Sequence, residues 1–350
     1  MNVSLLLTFF LLQFQIPQWQ DPGEFKGICF DPKDGQTAYV LASKAGIFKT
    51  DEAGDSWVQI IPYSGRNGQP FPQDEQFQAM CINPANSAEL FLAGRRTIYK
   101  SPDRGLTWVK TAEFSNMQDG EGFNSLAVNP KYPQEIYAGV FMNYRFLKSV
   151  DGGRTWQTGI SSIAEDVHII QFAFDSRAYK DVLAVAFRSF PRLDQKSYYQ
   201  IYKSENKGKF FETLSERYDR IEAISALPGR RGGLLMSADT KIGTNSGNGI
   251  FKSYYGGKLW RKKISGWFRS IAPSQSNPNV IYAAGEKLLK SEDWGDTFLE
   301  LVPPEDTFFR YCAVSPGNED FLFVQGENKI MYRSKDGGKA WQNVLDLNTP

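Results

Sequence analysis

The sequence holds one histidine, His168, and three cysteines among 350 residues. No two cysteines are spaced as C-x-x-C, so a zinc site built from His and Cys is excluded. Three thiols cannot all pair within one chain. Cys29, Cys81 and Cys312 lie in the apolar runs "GICFDP", "AMCINP" and "YCAVSP", and are read as small core residues rather than a disulfide or a redox site. Net charge is lacking too. Forty basic against 39 acidic residues leave +1, which removes bulk attraction to nucleic acid or to an anionic membrane. No long apolar run exists. The opening "MNVSLLLTFFLLQFQIPQW" is apolar over residues 5–12, too short to span a bilayer as a helix. It resembles the apolar part of an export signal, yet no Lys or Arg precedes it and no A-x-A-like site follows. Residues 1–20 are therefore read as either a signal peptide of a secreted or periplasmic protein, or a lead-in strand of a cytoplasmic one. Neither a P-loop nor a dinucleotide fingerprint nor a serine-nucleophile context is present, and no metal or other cofactor is expected.

What is abundant is turn and strand material. Thirty-one glycines, 18 prolines and 14% aromatic residues suit many short strands joined by tight turns. One octamer recurs: "TDEAGDSW" from Thr50, "SPDRGLTW" from Ser101, "SVDGGRTW" from Ser149 and "SENKGKFF" from Ser204. "SYYGGKLW" from Ser253, "SEDWGDTF" from Ser291 and "SKDGGKAW" from Ser334 complete the set. Self-similarity at about 40–55 residues signals a repeat architecture.

Each copy has the same upstream context. A short apolar strand closes on Asp/Asn/Ser-Pro or a near equivalent ("GICFDP", "SLAVNP", "CAVSP"), and a second strand follows ("TAYVLA", "ELFLAG", "EIYAGV"). A third leads into the octamer ("GIFKT", "TIYKS", "IMYRS") and the residues after it make a fourth ("WVKTA", "WQNVL"). Four short strands without a helical-period segment between them describe a propeller blade, and seven blades fill the chain from about residue 27 to 345. The fold class predicted is all-β: a single seven-bladed β-propeller over residues 21–350, with four-stranded antiparallel blades. A blade has two faces to cover, and its neighbours in the ring cover both.

The octamer's chemistry is that of a folded turn. Its Asp accepts backbone N–H groups that the ladder leaves unpaired, Gly supplies positive φ, and Trp wedges between blades. The best copies are Asp103, Gly105 and Trp108; Asp151, Gly153 and Trp156; Asp293 and Gly295; Asp336, Gly338 and Trp341. A catalytic role fails on arithmetic, because catalysis needs one constellation and this Asp recurs around the ring. The motif also decays, with Glu52, Asn206 and Tyr255 at the Asp position.

The octamers at Ser101, Ser149, Ser291 and Ser334 resemble the Asp-box of bacterial neuraminidases. With the "NP…IYAG" lead-ins, the whole chain resembles Asp-box propellers: sialidases, xyloglucan-degrading glycosidases, sortilin-type receptor ectodomains and the photosystem II assembly factor. This resemblance implies the fold and leaves the function open. Sialidases carry an early F-R-I-P-like segment, absent here before the first octamer. In the xyloglucanases a catalytic Asp follows the first blade's second-strand Tyr by four residues. Here "AYVLASKAGIFK" matches that stretch in length and holds Ser43 at the position. Serine does not replace a carboxylate in a two-carboxylate glycosidase. The family's second propeller unit is also absent from this sequence.

Octamer turns occupy one face of such a ring, and function is expected on the loops of the other. That face is predicted to carry a basic arc, with Arg95 and Arg96 in blade two, Tyr144 and Arg145 in blade three, and Arg188 and Arg192 in blade four. An acidic arc of Asp239, Glu286 and Glu327 follows in blades five to seven. Tyr198 and Tyr199, with Phe190, are candidates for an aromatic platform under a sugar ring, or for packing under a long loop. The function expected is a non-catalytic binding or assembly module, monomeric and without a membrane span, whose partner is a protein surface or a glycan. The alternative is a glycoside hydrolase using Asp239, Glu286 and Glu327 as its acids.

Overall fold

The computed structural model describes residues 23–61, 71–72, 75–114, 122–141, 146–158, 167–175, 181–188, 196–240 and 247–348. These form seven four-stranded antiparallel sheets, each built from four consecutive strands. The blades span residues 25–59, 79–113, 122–158, 167–213, 220–265, 268–301 and 309–346. Labelling the strands of a blade A to D in chain order, every strand A lies beside strand A of both neighbouring blades, so the A strands line the axis. The ring is a seven-bladed β-propeller, and among the described residues blade 7 meets blade 1 without sharing a strand.

Burial follows from that geometry. Strands B are covered on both sides and read as unbroken apolar runs: Ala38–Ala42 "AYVLA", Leu90–Ala93 "LFLA" and Ile281–Gly285 "IYAAG" are buried at every position. Strands D are rims, and Val109–Glu113 has its outer positions in solvent. The side chain ending each octamer packs against the preceding blade. Trp108 joins Leu41 and Ile47 of blade 1, Phe211 joins Tyr137 and Phe146 of blade 3, and Trp260 joins Leu183 and Val185 of blade 4.

The seven octamer turns share one bond. The Ser or Thr hydroxyl accepts the N–H of the octamer glycine, at 2.8 Å in six turns (Gly54, Gly105, Gly153, Gly208, Gly295, Gly338) and 3.0 Å at Gly257. The carboxylate, which the sequence brings to the eye first, is the variable part. Asp151 accepts the Thr155 N–H at 2.9 Å and its hydroxyl at 2.6 Å, and these bonds hold its pKa down to about 2. Asn206 takes over the backbone bond in blade 4, accepting the Phe210 N–H at 3.0 Å. Gly153 has φ +83°, and a Cβ there would stand 2.7 Å from the buried ring of Phe91 in blade 2. Gly153→Ala is expected to lower unfolding free energy by about 2 kcal/mol or more, read as a fall in denaturant midpoint at unchanged m-value.

In five blades a cation on strand C, one place before the octamer Ser, ties blade to blade. Lys100 donates to the Gly152 carbonyl at 3.0 Å, Lys148 to the Lys207 carbonyl at 2.7 Å, and Lys252, fully buried, meets Asp296 at 2.9 Å. Lys290 lies 3.3 Å from Asp320, and Arg333 closes the ring by donating to the Ala53 carbonyl at 2.6 Å and to Asp55. The repeated Lys in "IYKS" and "IFKS" was visible in the sequence. Its role was not, because in these five blades a partner belongs to the next blade, whereas Lys49 and Lys203 meet carboxylates of their own blades.

Candidate functional site at the channel mouth

Backbone hydrogen bonds assign the two faces. Octamer residues bond to the A–B turns of their own blades (Ala53 to Gln36, Gly152 to Gln134, Gly337 to Asp320), so these turns share one face. Residues at the B–C turns bond to the segments entering strands A (Ser43 to Glu24, Glu286 to Trp267, Glu327 to Phe308), which defines the other.

On that second face, strand A begins with a bulge. In six blades one residue drops out of register against strand B: Lys26, Asn124, Ile170, Glu222, Arg269 and Arg310. Gln78 holds the matching place in blade 2. A bulge re-aims the side chain it carries and is enriched beside functional sites. Here it sets a ring of half-buried side chains at one end of the axial channel. Three consecutive members, Arg269, Arg310 and Lys26 of blades 6, 7 and 1, are cationic.

Most of the charge at this mouth is paired. Lys26 meets Glu24 at 3.0 Å, Arg310 Nε meets Glu327 at 3.1 Å, and Arg220 Nε contacts Glu222. Glu24 is held below the usual carboxylate range, first by its hydrogen bond from Lys26, with Arg310 and Arg269 adding to the effect. Burial pushes the Tyr311 phenol up, and the charges that act on it (Arg310, Glu24, Arg269 and Glu222) come from blades 7, 1, 6 and 5. Four blades thus converge on one electrostatic neighbourhood.

Arg269 differs. Among the described residues no carboxylate lies within ion-pair distance of it, and its guanidinium sits over the Phe308 ring, 5.4 Å from the centroid. It lines a cavity of about 160 Å³ with Arg220, Glu222, Trp267, Phe268 and Phe308. Trp267 is 41% exposed, yet its indole is oriented. With the Asn248 amide nitrogen facing both Asp239 oxygens at 2.9 and 3.1 Å, the amide oxygen accepts the Trp267 Nε1–H at 2.7 Å.

The residues singled out in the sequence fall as follows. Asp239 buttresses Trp267 through Asn248, Glu327 is engaged by Arg310, and Glu286 is exposed at the blade 6 turn. Arg95 is exposed at the blade 2 turn, where its N–H bonds to Glu75 at 2.8 Å, and Arg96 beside it is half-buried. Arg188 donates to the Tyr198 hydroxyl at 3.2 Å. Tyr198 is buried with Arg217 stacked over its ring at 4.3 Å, and Tyr199 is half-buried, 4.9 Å from Phe187. Tyr144, Arg145, Phe190 and Arg192 lie outside the described residues, as do residues 1–22. Ser43 is nearly buried, and its hydroxyl accepts the Glu24 N–H at 3.0 Å. Trp267, Arg269 and Phe308 were missed. The available signal was an aromatic followed by a polar residue at the head of strand A: "FK", "FQ", "FN", "FR" and "FR".

At the octamer end the channel opens into a wider funnel of about 490 Å³, apolar and rimmed by Pro32, Pro84 and Pro130. Cys29 and Cys81 line it as free thiols, and Cys29 is pushed up to about 12 by burial. No group of three or more candidate metal ligands occurs among the described residues. No helix there is long and apolar enough to cross a membrane.

No family model matches the chain. It is 23% identical, over 93% of its length, to xyloglucanase Xgh74A of Acetivibrio thermocellus, and covers 38% of that protein. It is 22% identical, over 94% of its length, to a probable oligoxyloglucan-reducing end-specific xyloglucanase of Neosartorya fischeri, covering 41% of it. The chain thus spans about two-fifths of the length of these relatives. Among solved structures, YCF48 bound to D1 peptide superposes with a TM-score of 0.62 at 17% identity, over 91% of this chain and 95% of that one. The GH74 enzyme of Niastella koreensis gives 0.53 at 15% identity, over 91% and 65% respectively. At these identities the structural likeness speaks for the fold.

Proposed function

We propose that residues 21–350 form one Asp-box propeller that acts as a non-catalytic binding module, holding a protein or glycan partner at the channel mouth opposite the octamers. The observation that carries this reading is the Arg269–Trp267–Phe308 cavity. It is a small concave site with an oriented aromatic and a cation, and it sits where the bulges of several blades converge. The seven octamers, read as Asp-boxes, fasten the scaffold on the far side. Ser43 adds a second argument: at the place where the resembled xyloglucanases need an acid, a hydroxyl caps the start of strand A.

A second reading, a glycoside hydrolase of the same superfamily, is supported by the xyloglucanase relatives. Its acids would come from Glu222, Glu24, Asp239, Glu286 and Glu327, and a pair about 5–10 Å apart across the mouth is what such chemistry requires.

The test of the face is comparative. Purified wild type, Trp267→Ala and Met80→Glu are applied to glycan and peptide arrays, with folding checked by denaturation. Met80 lines the apolar funnel on the octamer side. Ligand capture lost in Trp267→Ala and kept in Met80→Glu is the expected outcome. The reverse pattern moves the site to the funnel and overturns the assignment.

A further inference from the structure

We propose that the Arg269 cavity is a carboxylate subsite that takes one acidic side chain of an extended peptide, an assignment that rests on the binding-module reading. The neighbouring ion pairs supply the contrast. Lys26, Arg220 and Arg310 each have a carboxylate partner at the mouth, Glu24, Glu222 and Glu327. Arg269 has none among the described residues, and its planar cation is held against Phe308 with Trp267 forming another wall. Stacking fixes the plane of a guanidinium and leaves its N–H edges free for two parallel bonds to a carboxylate. The bulge takes Arg269 out of register with strand B, where Phe268 and Ser270 stay paired, and its side chain lines the cavity beside Phe308.

The surroundings select among ligands that carry a carboxylate. A neutral glucan leaves Arg269 without a carboxylate at ion-pair distance. A polymer with an acid on every unit, such as a polyuronate or a nucleic acid, brings repeated negative charge against Glu24, Glu222 and Glu327. A polypeptide with one acid beside apolar residues meets both conditions. Its carboxylate pairs with Arg269 and its apolar neighbour covers Trp267. The cavity of about 160 Å³ has room for one side chain rather than a folded surface.

The probe is an array of decapeptides, each with a single Glu or Asp among apolar and aromatic residues, beside Gln and Asn counterparts. Glucuronic and galacturonic acid oligomers and xyloglucan oligosaccharides occupy the same surface. Full-chain wild type, Arg269→Ala, Arg269→Lys and Arg231→Ala are compared, Arg231 being an exposed cation on the octamer face. Hits are titrated in solution against tryptophan fluorescence. Capture of acidic peptides is expected, weakened at least about tenfold by Glu→Gln in the peptide and equally by Arg269→Ala. Arg269→Lys retains part of the affinity, and Arg231→Ala all of it. The subsite is overturned if no peptide is captured, if Gln peptides bind as well as Glu peptides, if Arg269→Ala binds like wild type, or if uronate oligomers outbind every peptide. Glycan capture without turnover removes this subsite alone. Turnover of xyloglucan removes the binding-module reading beneath it.

Discussion

Arg333→Ala is expected to cost about 3–5 kcal/mol of unfolding free energy. Its guanidinium donates to the Ala53 carbonyl, to Asp55 and to the Gln342 side chain, so one residue of blade 7 satisfies groups of blade 1 and of its own outer strand. The side chain is 7% exposed. Truncation therefore leaves a buried carbonyl without its donor at the seam where chain end meets chain start. Asp55 is held below its usual range by the hydrogen bond from Arg333. A carboxylate depressed in the folded state contributes stability above its unfolded pKa and loses it as pH falls through the folded one. Wild type should thus lose part of its margin over Arg333→Ala on acidification below about pH 4. Urea titrations of both proteins at pH 7 and below pH 4 read both effects. Equal midpoints at pH 7 would show that the seam is held by apolar contact alone.

Phe323→Ala is expected to cost a comparable 3–5 kcal/mol by opening a cavity in the same seam. Phe323 of blade 7 is fully buried, stacked 5.1 Å from Phe30 of blade 1, and within 5.7 Å of Trp57. Gly54 lies against it: a Cβ there would stand 2.9 Å from the Phe323 ring and 3.7 Å from an Arg333 nitrogen. Because the ring and the guanidinium share this neighbour, the double variant is expected to lose less than the sum of the two, with a coupling of at least about 0.5 kcal/mol. Hydrogen exchange should place the excess opening of either variant in blades 1 and 7 first. Strict additivity would mean that cation and core hold the ring independently.

The sequence was most legible where the chain repeats itself. Four strands per blade, seven blades, and positive φ at Gly105, Gly153, Gly295 and Gly338 were all readable, because each copy corrects the noise of the others. The share of Ser and Asp within the turn was read less well. A hydroxyl that closes onto its own glycine and the neighbouring Asp looks unremarkable in print, while a recurring Asp draws attention. The blade-to-blade cations and the channel mouth were hardest to see. Lys100, Lys252 and Arg333 act on residues of the following blade, a relation that the spacing within one copy does not express. The mouth is made by bulges, which break the alternation that marks strand positions, so Arg269 and Glu222 fall out of phase with their own strands. Tyr198 illustrates the opposite problem: an aromatic pair in a long loop suggests a platform, and only the position of Arg217 shows the ring covered.

The separation between a binding module and a hydrolase comes down to Ser43 and to the carboxylates around the mouth, each of which has a structural partner or an exposed position. The most direct measurement is reducing-end release from xyloglucan and its oligosaccharides by the purified full chain, followed to long times with product analysis. No release above the protein-free blank is expected, in wild type and in Glu286→Gln alike. Steady turnover by wild type that disappears in Glu286→Gln would contradict the binding module and establish the chain as a glycosidase.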